Sequence, residues 1–360
     1  MGRMDDIPMT LLTRPPAAAI PLANLLGGPL RDRFDRVKRK LRVSLTDRCN
    51  FRCPYCMPDS PEFLDRADRL SRPELQRLLR LFVGELGVSR LRLTGGEPLL
   101  RRDLETVIAE CAELRPLGLE RISLSTNAAL LARRAAGLKA AGLDDLNISL
   151  DALTPATFAK LSGNRDVQPV LEGITAARDA GLPLKLNAVI VRGINEDEIL
   201  PLTRWAMQQK LPLRFIEFMP LDGRGEWSRQ RVVSEAEILQ RLREEFEVAA
   251  LPRGNDPAAY YSLHGGDQAG SVAAPEIGVI ATVSNPFCAS CDRLRLTSDG
   301  KLYPCLFSPK GTSLRDPMRA GASDADLGNV IRDTVWHKDA GYIAHPGYAE
   351  RPIAMNSLGG

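Results

Sequence analysis

The chain lacks what a membrane-spanning, secreted or nucleic-acid-coating protein would need. No stretch of its 360 residues approaches the ~18 to 20 uninterrupted apolar residues of a bilayer-spanning helix, because charges or prolines break every apolar run. Net charge is scarce as well: 48 Lys and Arg against 45 Asp and Glu leave +3. That balance gives no reason to expect a general nucleic-acid binder or a membrane-surface protein. Repeats of solenoid period are missing. The N-terminus carries Asp5 and Asp6 and no compact apolar segment, which argues against a secretory signal. Its Pro/Ala-rich stretch from Arg14 to Leu30 makes residues 1–30 an expected disordered extension.

What is there is ordinary globular composition, 44% hydrophobic and 26% charged. Single cores stop growing near ~250 to 300 residues, so two units are expected. From Leu41 onward short β-type runs alternate with amphipathic runs, the pattern of a parallel sheet wrapped by helices. Expected strands are 41–45, 91–93, 122–124, 147–150, 184–190 and 213–218. Ser71-Arg72-Pro73-Glu74 reads as a capping box opening a helix that runs out at Gly87. Six βα units are too few for a closed eight-stranded barrel. The expected fold class is therefore α/β, an open partial (βα)6 TIM-type barrel over 31–248, closed off by a C-terminal region over 249–360.

Polar clusters fall at the C-terminal ends of these strands, where parallel βα folds collect functional groups. They are Thr46 to Cys49, Thr94 to Pro98, Ser125 to Asn127, Ser149 with Asp151, and Met219. A separate basic run from Arg31 to Arg42 reads by default as a solvated face, with contact to an anionic ligand as the sharper alternative.

Seven cysteines are an odd number, and six form two tight groups, Cys49/Cys53/Cys56 and Cys288/Cys291/Cys305. Clustered thiols at ligand spacing point to metal in a reducing compartment and not to disulfides. Cys111 sits among apolar residues at helical spacing and is expected in the core. C-x3-C-x2-C suits a [4Fe-4S] cube with one iron left without a protein ligand. A structural zinc, which would want a fourth ligand nearby, and a redox dithiol of Cys53 and Cys56 are the competing readings. The second group allows a second cube, an incomplete zinc ribbon or an electron relay. Interleaved with it, Arg293 and Arg295 face the same way on an extended segment and could grip an anion.

The cysteine triad with Tyr55, followed by Gly95-Gly96-Glu97-Pro98 after the next strand, resembles the radical S-adenosylmethionine superfamily. From about Leu30 to Gly360 the chain is similar to the branch of that superfamily that opens molybdenum cofactor biosynthesis. Leu41 to Pro58, Arg92 to Pro98, Asn147 to Asp151, Phe215 to Met219, Phe287 to Leu296 and the terminal Gly359-Gly360 carry that likeness. One departure is Ala128, where glycine is common; if positive φ is needed there, the turn should differ slightly.

The resemblance implies a lyase with two [4Fe-4S] clusters, on Cys49, Cys53 and Cys56 and on Cys288, Cys291 and Cys305. The first passes an electron into S-adenosylmethionine, and the resulting 5′-deoxyadenosyl radical takes the ribose 3′ hydrogen of GTP. The ribose carbon then attacks C8 of guanine, with no side chain as acid or base. It further implies that Tyr55, Gly96, Ser149 and Met219 contact S-adenosylmethionine. Arg42, Arg92, Ser125, Lys185, Arg293 and Arg295 would hold GTP, and the diglycine tail would enter the site. Implied partners are an electron donor such as flavodoxin or ferredoxin and, downstream, cyclic pyranopterin monophosphate synthase, in the cytoplasm; a homodimer stays open. Competing readings are a peptide-modifying radical enzyme and a non-catalytic iron-sulfur sensor gripping nucleic acid through Arg31 to Arg42, which near-neutral charge disfavours.

Overall fold

Alternation along each strand decides the architecture. In the computed structural model, which describes residues 27–221, 224–265, 276–342 and 355–359, β1 (Lys40–Ser44), β2 (Arg90–Thr94), β3 (Arg121–Thr126), β4 (Asp145–Ser149), β5 (Leu184–Ile190) and β6 (Leu213–Glu217) follow one another as parallel neighbours. Every second residue is apolar and buried: Leu41 and Val43, Leu91 and Leu93, Ile122 and Leu124, Leu146 and Ile148, Leu213 and Phe215. Successive side chains on a strand point to opposite faces. These residues therefore share one face, and they form one core with the apolar stripes of the covering helices. The opposite face carries Arg42, Arg92, Ser125, Asn187 and Arg214 and borders a cavity.

The first covering helix, Arg72–Gly84, begins as its sequence demands. Ser71 Oγ accepts from the Glu74 amide, the Glu74 carboxylate accepts from the Ser71 amide at 2.7 Å, and proline occupies the first turn. Leu75, Leu78, Leu79 and Phe82 bury its inner stripe, each contributing roughly 1.5–3 kcal/mol of burial free energy. Cys111 lies in the same core.

The C-terminal half extends both edges of this sheet. β9 (Ile277–Ile280) lies parallel to β6, followed by β8 (Ala259–His264) and β7 (Glu247–Ala250); β10 (Arg293–Leu296) lies parallel to β1, followed by β11 (Lys301–Tyr303) and β12 (Thr312–Ser313). The described strands form a 12-stranded sheet whose edges, β12 and β7, are not joined: an open barrel. Position 248 falls within β7. Of the extension expected over 1–30, residues 1–26 lie outside the described residues, while Leu30 is buried and pairs through its backbone with Leu86 and Lys38. No described helix is long and apolar enough to cross a membrane.

The basic run is a solvated face only in part, at Arg31 and Arg39, which are exposed. Lys38 is fully buried, with its ammonium 2.6 Å from Asp32 Oδ2, and Arg36 is buried against the same carboxylate. A charge run on an isolated segment is best solvated, but β10 pairs with β1 and folds the second cysteine loop over this one.

Candidate active site

The first cysteine loop leaves β1 and is pinned at several points. Tyr55 donates its hydroxyl to Asp151 Oδ2 at 2.5 Å, tying the loop to the end of β4, while Asp151 Oδ1 accepts from the Val189 amide on β5. Asn127 Nδ2 donates to Asn50 at 2.8 Å and approaches Cys49 Sγ at 3.8 Å. Glu97, fully enclosed, accepts from Thr126 Oγ1 and from the amides of Asn127 and Leu99. Burial pushes its carboxyl up to about 7 against those hydrogen bonds.

Gly95 and Gly96 answer to packing between loops. Gly95 has φ +155°, and a Cβ there would collide with the Thr46 backbone; one on Gly96 would collide with the Arg48 carbonyl. The amides of Gly96 and Glu97 donate to the Thr46 and Arg48 carbonyls at 2.6 and 2.8 Å. The glycines thus let the Gly95–Pro98 turn lie directly on the backbone that leads into Cys49.

Both cysteine groups open onto the cavity, and their donors suit iron-sulfur clusters. Within each group the thiols are close enough to raise one another's pKa. Backbone amides of Phe51 and Phe307 donate to Cys49 Sγ and Cys305 Sγ at 3.4 and 3.5 Å. Three thiolates per loop leave one iron of a cube without a protein ligand. The groups differ electrically. Burial pushes the Cys49 and Cys56 thiols up to about 11 and about 12. Burial also pushes Cys291 up, but Lys338, Arg293 and Lys38 outweigh it and hold the thiol down at about 5.

Between the two groups runs a row of cations. Arg295, Arg42 and Arg92 are direct register partners on β10, β1 and β2, a spacing of ~4.8 Å per strand at which like charges repel. Burial, then Arg295, Arg92, Arg293 and Arg214, holds Arg42 well below the ordinary arginine range, and burial with Arg214 brings Arg92 down to about 10. Arg214 is held by Asn187 Oδ1 at 2.9 Å and Asn147 Oδ1 at 2.5 Å. A buried row of guanidinium groups is costly until an anion with several charges joins it, and planar bidentate donors fit phosphate oxygens.

The C-terminal tail reaches the same mouth. Met355–Leu358 forms one short helical turn, Asn356 Nδ2 donates to the Asp47 carbonyl at 3.1 Å, and the Arg295 guanidinium donates to the Gly359 carbonyl. Gly359 has φ +74°, and a Cβ on it would strike Thr94 Cγ2, so this position admits only glycine. Gly360 lies outside the described residues.

Of the residues singled out in the sequence, Tyr55, Gly96, Ser149, Met219, Arg42, Arg92, Ser125, Arg293, Arg295 and both cysteine triads border the cavity. Lys185 does not; it stands two residues before Asn187 on β5, level with Asn147. Sequence reasoning missed Arg214 and Lys338, both of which border the cavity. Arg214 was findable, since Leu213-Arg214-Phe215 repeats the alternation of Leu41-Arg42-Val43 and Leu91-Arg92-Leu93. It also missed the part played by Glu217, which is fully buried. That carboxylate accepts from the amides of Val283, Ser284 and Glu235 at 2.7, 2.8 and 2.9 Å and from the Ser284 hydroxyl. Glu217→Ala would leave these donors unmet. We expect a loss of about 3 kcal/mol or more in urea unfolding, with Glu217→Gln losing less.

Residues 43–206 match the Radical SAM superfamily and residues 211–343 match Molybdenum Cofactor Synthesis C. Among solved structures, SuiB of Streptococcus suis bound to its precursor peptide SuiA is similar in fold, with a TM-score of 0.57 at 14% identity, covering 86% of this chain and 67% of that one. Among curated relatives, GTP 3′,8-cyclase of Corynebacterium glutamicum (strain R) is 46% identical over 338 residues, 92% of this chain and 89% of the relative. GTP 3′,8-cyclase of Mycolicibacterium smegmatis is 44% identical over 338 residues, covering 92% of each, and that of Streptomyces coelicolor is 43% identical over 337 residues, 92% of this chain and 96% of the relative. With that identity sustained from the first cysteine loop through the second, the chain belongs to the GTP 3′,8-cyclase family of radical S-adenosylmethionine proteins.

Proposed function

We propose that this chain converts GTP to (8S)-3′,8-cyclo-7,8-dihydroguanosine 5′-triphosphate, the first step of molybdenum cofactor biosynthesis, with S-adenosylmethionine and two [4Fe-4S] clusters. The observation that carries this reading is a single cavity bordered by two three-cysteine loops with Arg42, Arg92, Arg214, Arg293 and Arg295 between them. Cys49, Cys53 and Cys56 hold one cluster; Cys288, Cys291 and Cys305 hold the other. When bound, the first cluster and S-adenosylmethionine supply a 5′-deoxyadenosyl radical that can take a hydrogen atom from an unactivated C–H bond.

The chain's own residues bind, orient and exclude water. The arginines clamp the triphosphate and so fix the ribose 3′ C–H within reach, converting an encounter into a positioned step. Ser125 contacts GTP from β3, and Lys185 on β5, near Arg214 but outside the cavity lining, lends its positive charge to the same anion. The Gly96 backbone, Tyr55, Ser149 and Met219 contact S-adenosylmethionine. Enclosure by the tail keeps solvent from quenching the radical. Flavodoxin or ferredoxin supplies electrons, cyclic pyranopterin monophosphate synthase takes the product, and the reducing cytoplasm keeps the thiols available.

The test is an anaerobic assay of reconstituted protein with GTP, S-adenosylmethionine and reductant. GTP-dependent formation of 5′-deoxyadenosine with a cyclised nucleotide is the expected result. Cleavage of S-adenosylmethionine without consumption of GTP would overturn the reading.

A further inference from the structure

We propose that Lys338 is a positioning residue for the second cluster: its ammonium donates an N–H···S hydrogen bond to Cys291 and raises that cluster's reduction potential. The inference rests on the reading that Cys288, Cys291 and Cys305 hold a cluster.

The geometry is specific. Lys338 Nζ lies 3.2 Å from Cys291 Sγ and 3.1 Å from the Arg293 carbonyl, and the residue is only 3% exposed. Its ammonium donates to the Cys291 sulfur and the Arg293 carbonyl. A buried ammonium is costly unless an anion faces it, and a cluster-ligating thiolate at Cys291 would be that anion.

The arrangement is also rigid. Arg36 donates to the carbonyls of Cys288 at 2.8 Å, Ala340 at 2.7 Å and Asp339 at 2.6 Å, so one guanidinium grips both the cysteine loop and the segment carrying Lys338. Lys38 donates to the Cys291 carbonyl at 2.7 Å. Asp32 neutralises part of this pair of cations and fixes their positions. Lys338 therefore cannot drift from the sulfur without breaking a network that spans positions 32 to 340.

Among the described residues no ammonium or guanidinium donates a hydrogen bond to a sulfur of the first cysteine group. Its Cys49 sulfur meets the Phe51 amide and the Asn127 side-chain amide, both neutral. Arg52 there donates to the Cys49 carbonyl and acts on the sulfur only through space. A cluster gains negative charge on reduction, so a cation on a ligating sulfur favours the reduced form. Outer-shell donors of this kind tune metal centres in general. The two clusters thus sit in different fields, with the second the easier to reduce.

The experiment is a redox titration followed by electron paramagnetic resonance on full-length protein with both clusters reconstituted. The second cluster's signal is identified by its absence in the Cys288/Cys291/Cys305→Ala variant. In Lys338→Met the reduced-to-oxidised ratio of that signal at a fixed potential should fall about tenfold, equivalent to about 59 mV for one electron, while the first cluster's signal stays in place. Lys338→Arg, which keeps charge and donor, should stay near the parent ratio. An unshifted second signal in Lys338→Met, with iron content intact, would overturn the proposal. Should Lys338→Met lose the second cluster, retention of iron in Lys338→Arg supports the contact, and loss in both variants contradicts it. A parent protein with half the expected iron and no second signal would instead overturn the cluster assignment itself.

Discussion

Replacing Cys49, Cys53 and Cys56 together by alanine is expected to remove about half of the iron of the reconstituted protein and to abolish cleavage of S-adenosylmethionine. The fold should survive, because the loop does not depend on its sulfurs for position. It is held by the Tyr55 hydroxyl on Asp151, by Asn127 on Asn50 and by the Arg52 amide on the Ser162 carbonyl. Its cysteines are partly exposed, so removing the sulfurs opens no core cavity. Iron and sulfide analysis with far-ultraviolet circular dichroism checks the first half, and chromatography of 5′-deoxyadenosine the second. A triple variant that still cleaves S-adenosylmethionine would show that another site holds the active cluster.

Deleting Gly359 and Gly360 should lower GTP turnover by on the order of a hundredfold, the loss that a misplacement of about 1 Å brings, with iron content and thermal stability unchanged. Arg295 sits at the end of the cation row and is engaged by the Gly359 carbonyl. Without that contact a guanidinium that clamps phosphate loses one of its partners, and the space against Thr94 that Gly359 fills is vacated. The helical turn Met355–Leu358, with Leu358 buried and Asn356 on the Asp47 carbonyl, precedes the deleted glycines and stays in place, so their loss leaves the sheet alone. A synthetic peptide of the tail should restore part of the activity. Full activity in the truncated protein would remove the tail from the mechanism.

Much of this was legible in the sequence because it is local. The six strands lie within a residue or two of their expected positions, and the Ser71 capping box needs only four neighbouring residues. The cysteine triads announce themselves by spacing. What was hidden depends on pairing between distant segments. Lys38 looks like one more charge in a basic run until β10 lies beside β1 and brings the Cys291 carbonyl over it. Lys338 is separated from its sulfur by 47 positions. That Gly95 and Gly96 are required by the Thr46 and Arg48 backbone is likewise a contact between distant segments. Ala128 does take positive φ, +60°, in full burial, so alanine carries a strain of about 1–2 kcal/mol there.

The most direct test of the central claim follows the hydrogen atom. GTP carrying deuterium at the ribose 3′ position is incubated anaerobically with reconstituted protein, S-adenosylmethionine and reductant, and the 5′-deoxyadenosine is analysed by mass spectrometry. The proposed reaction requires one deuterium in each 5′-deoxyadenosine formed during turnover, with loss of the label from the cyclised nucleotide. Unlabelled 5′-deoxyadenosine alongside product formation would contradict it, because the radical held in this cavity would then be taking its hydrogen from somewhere else.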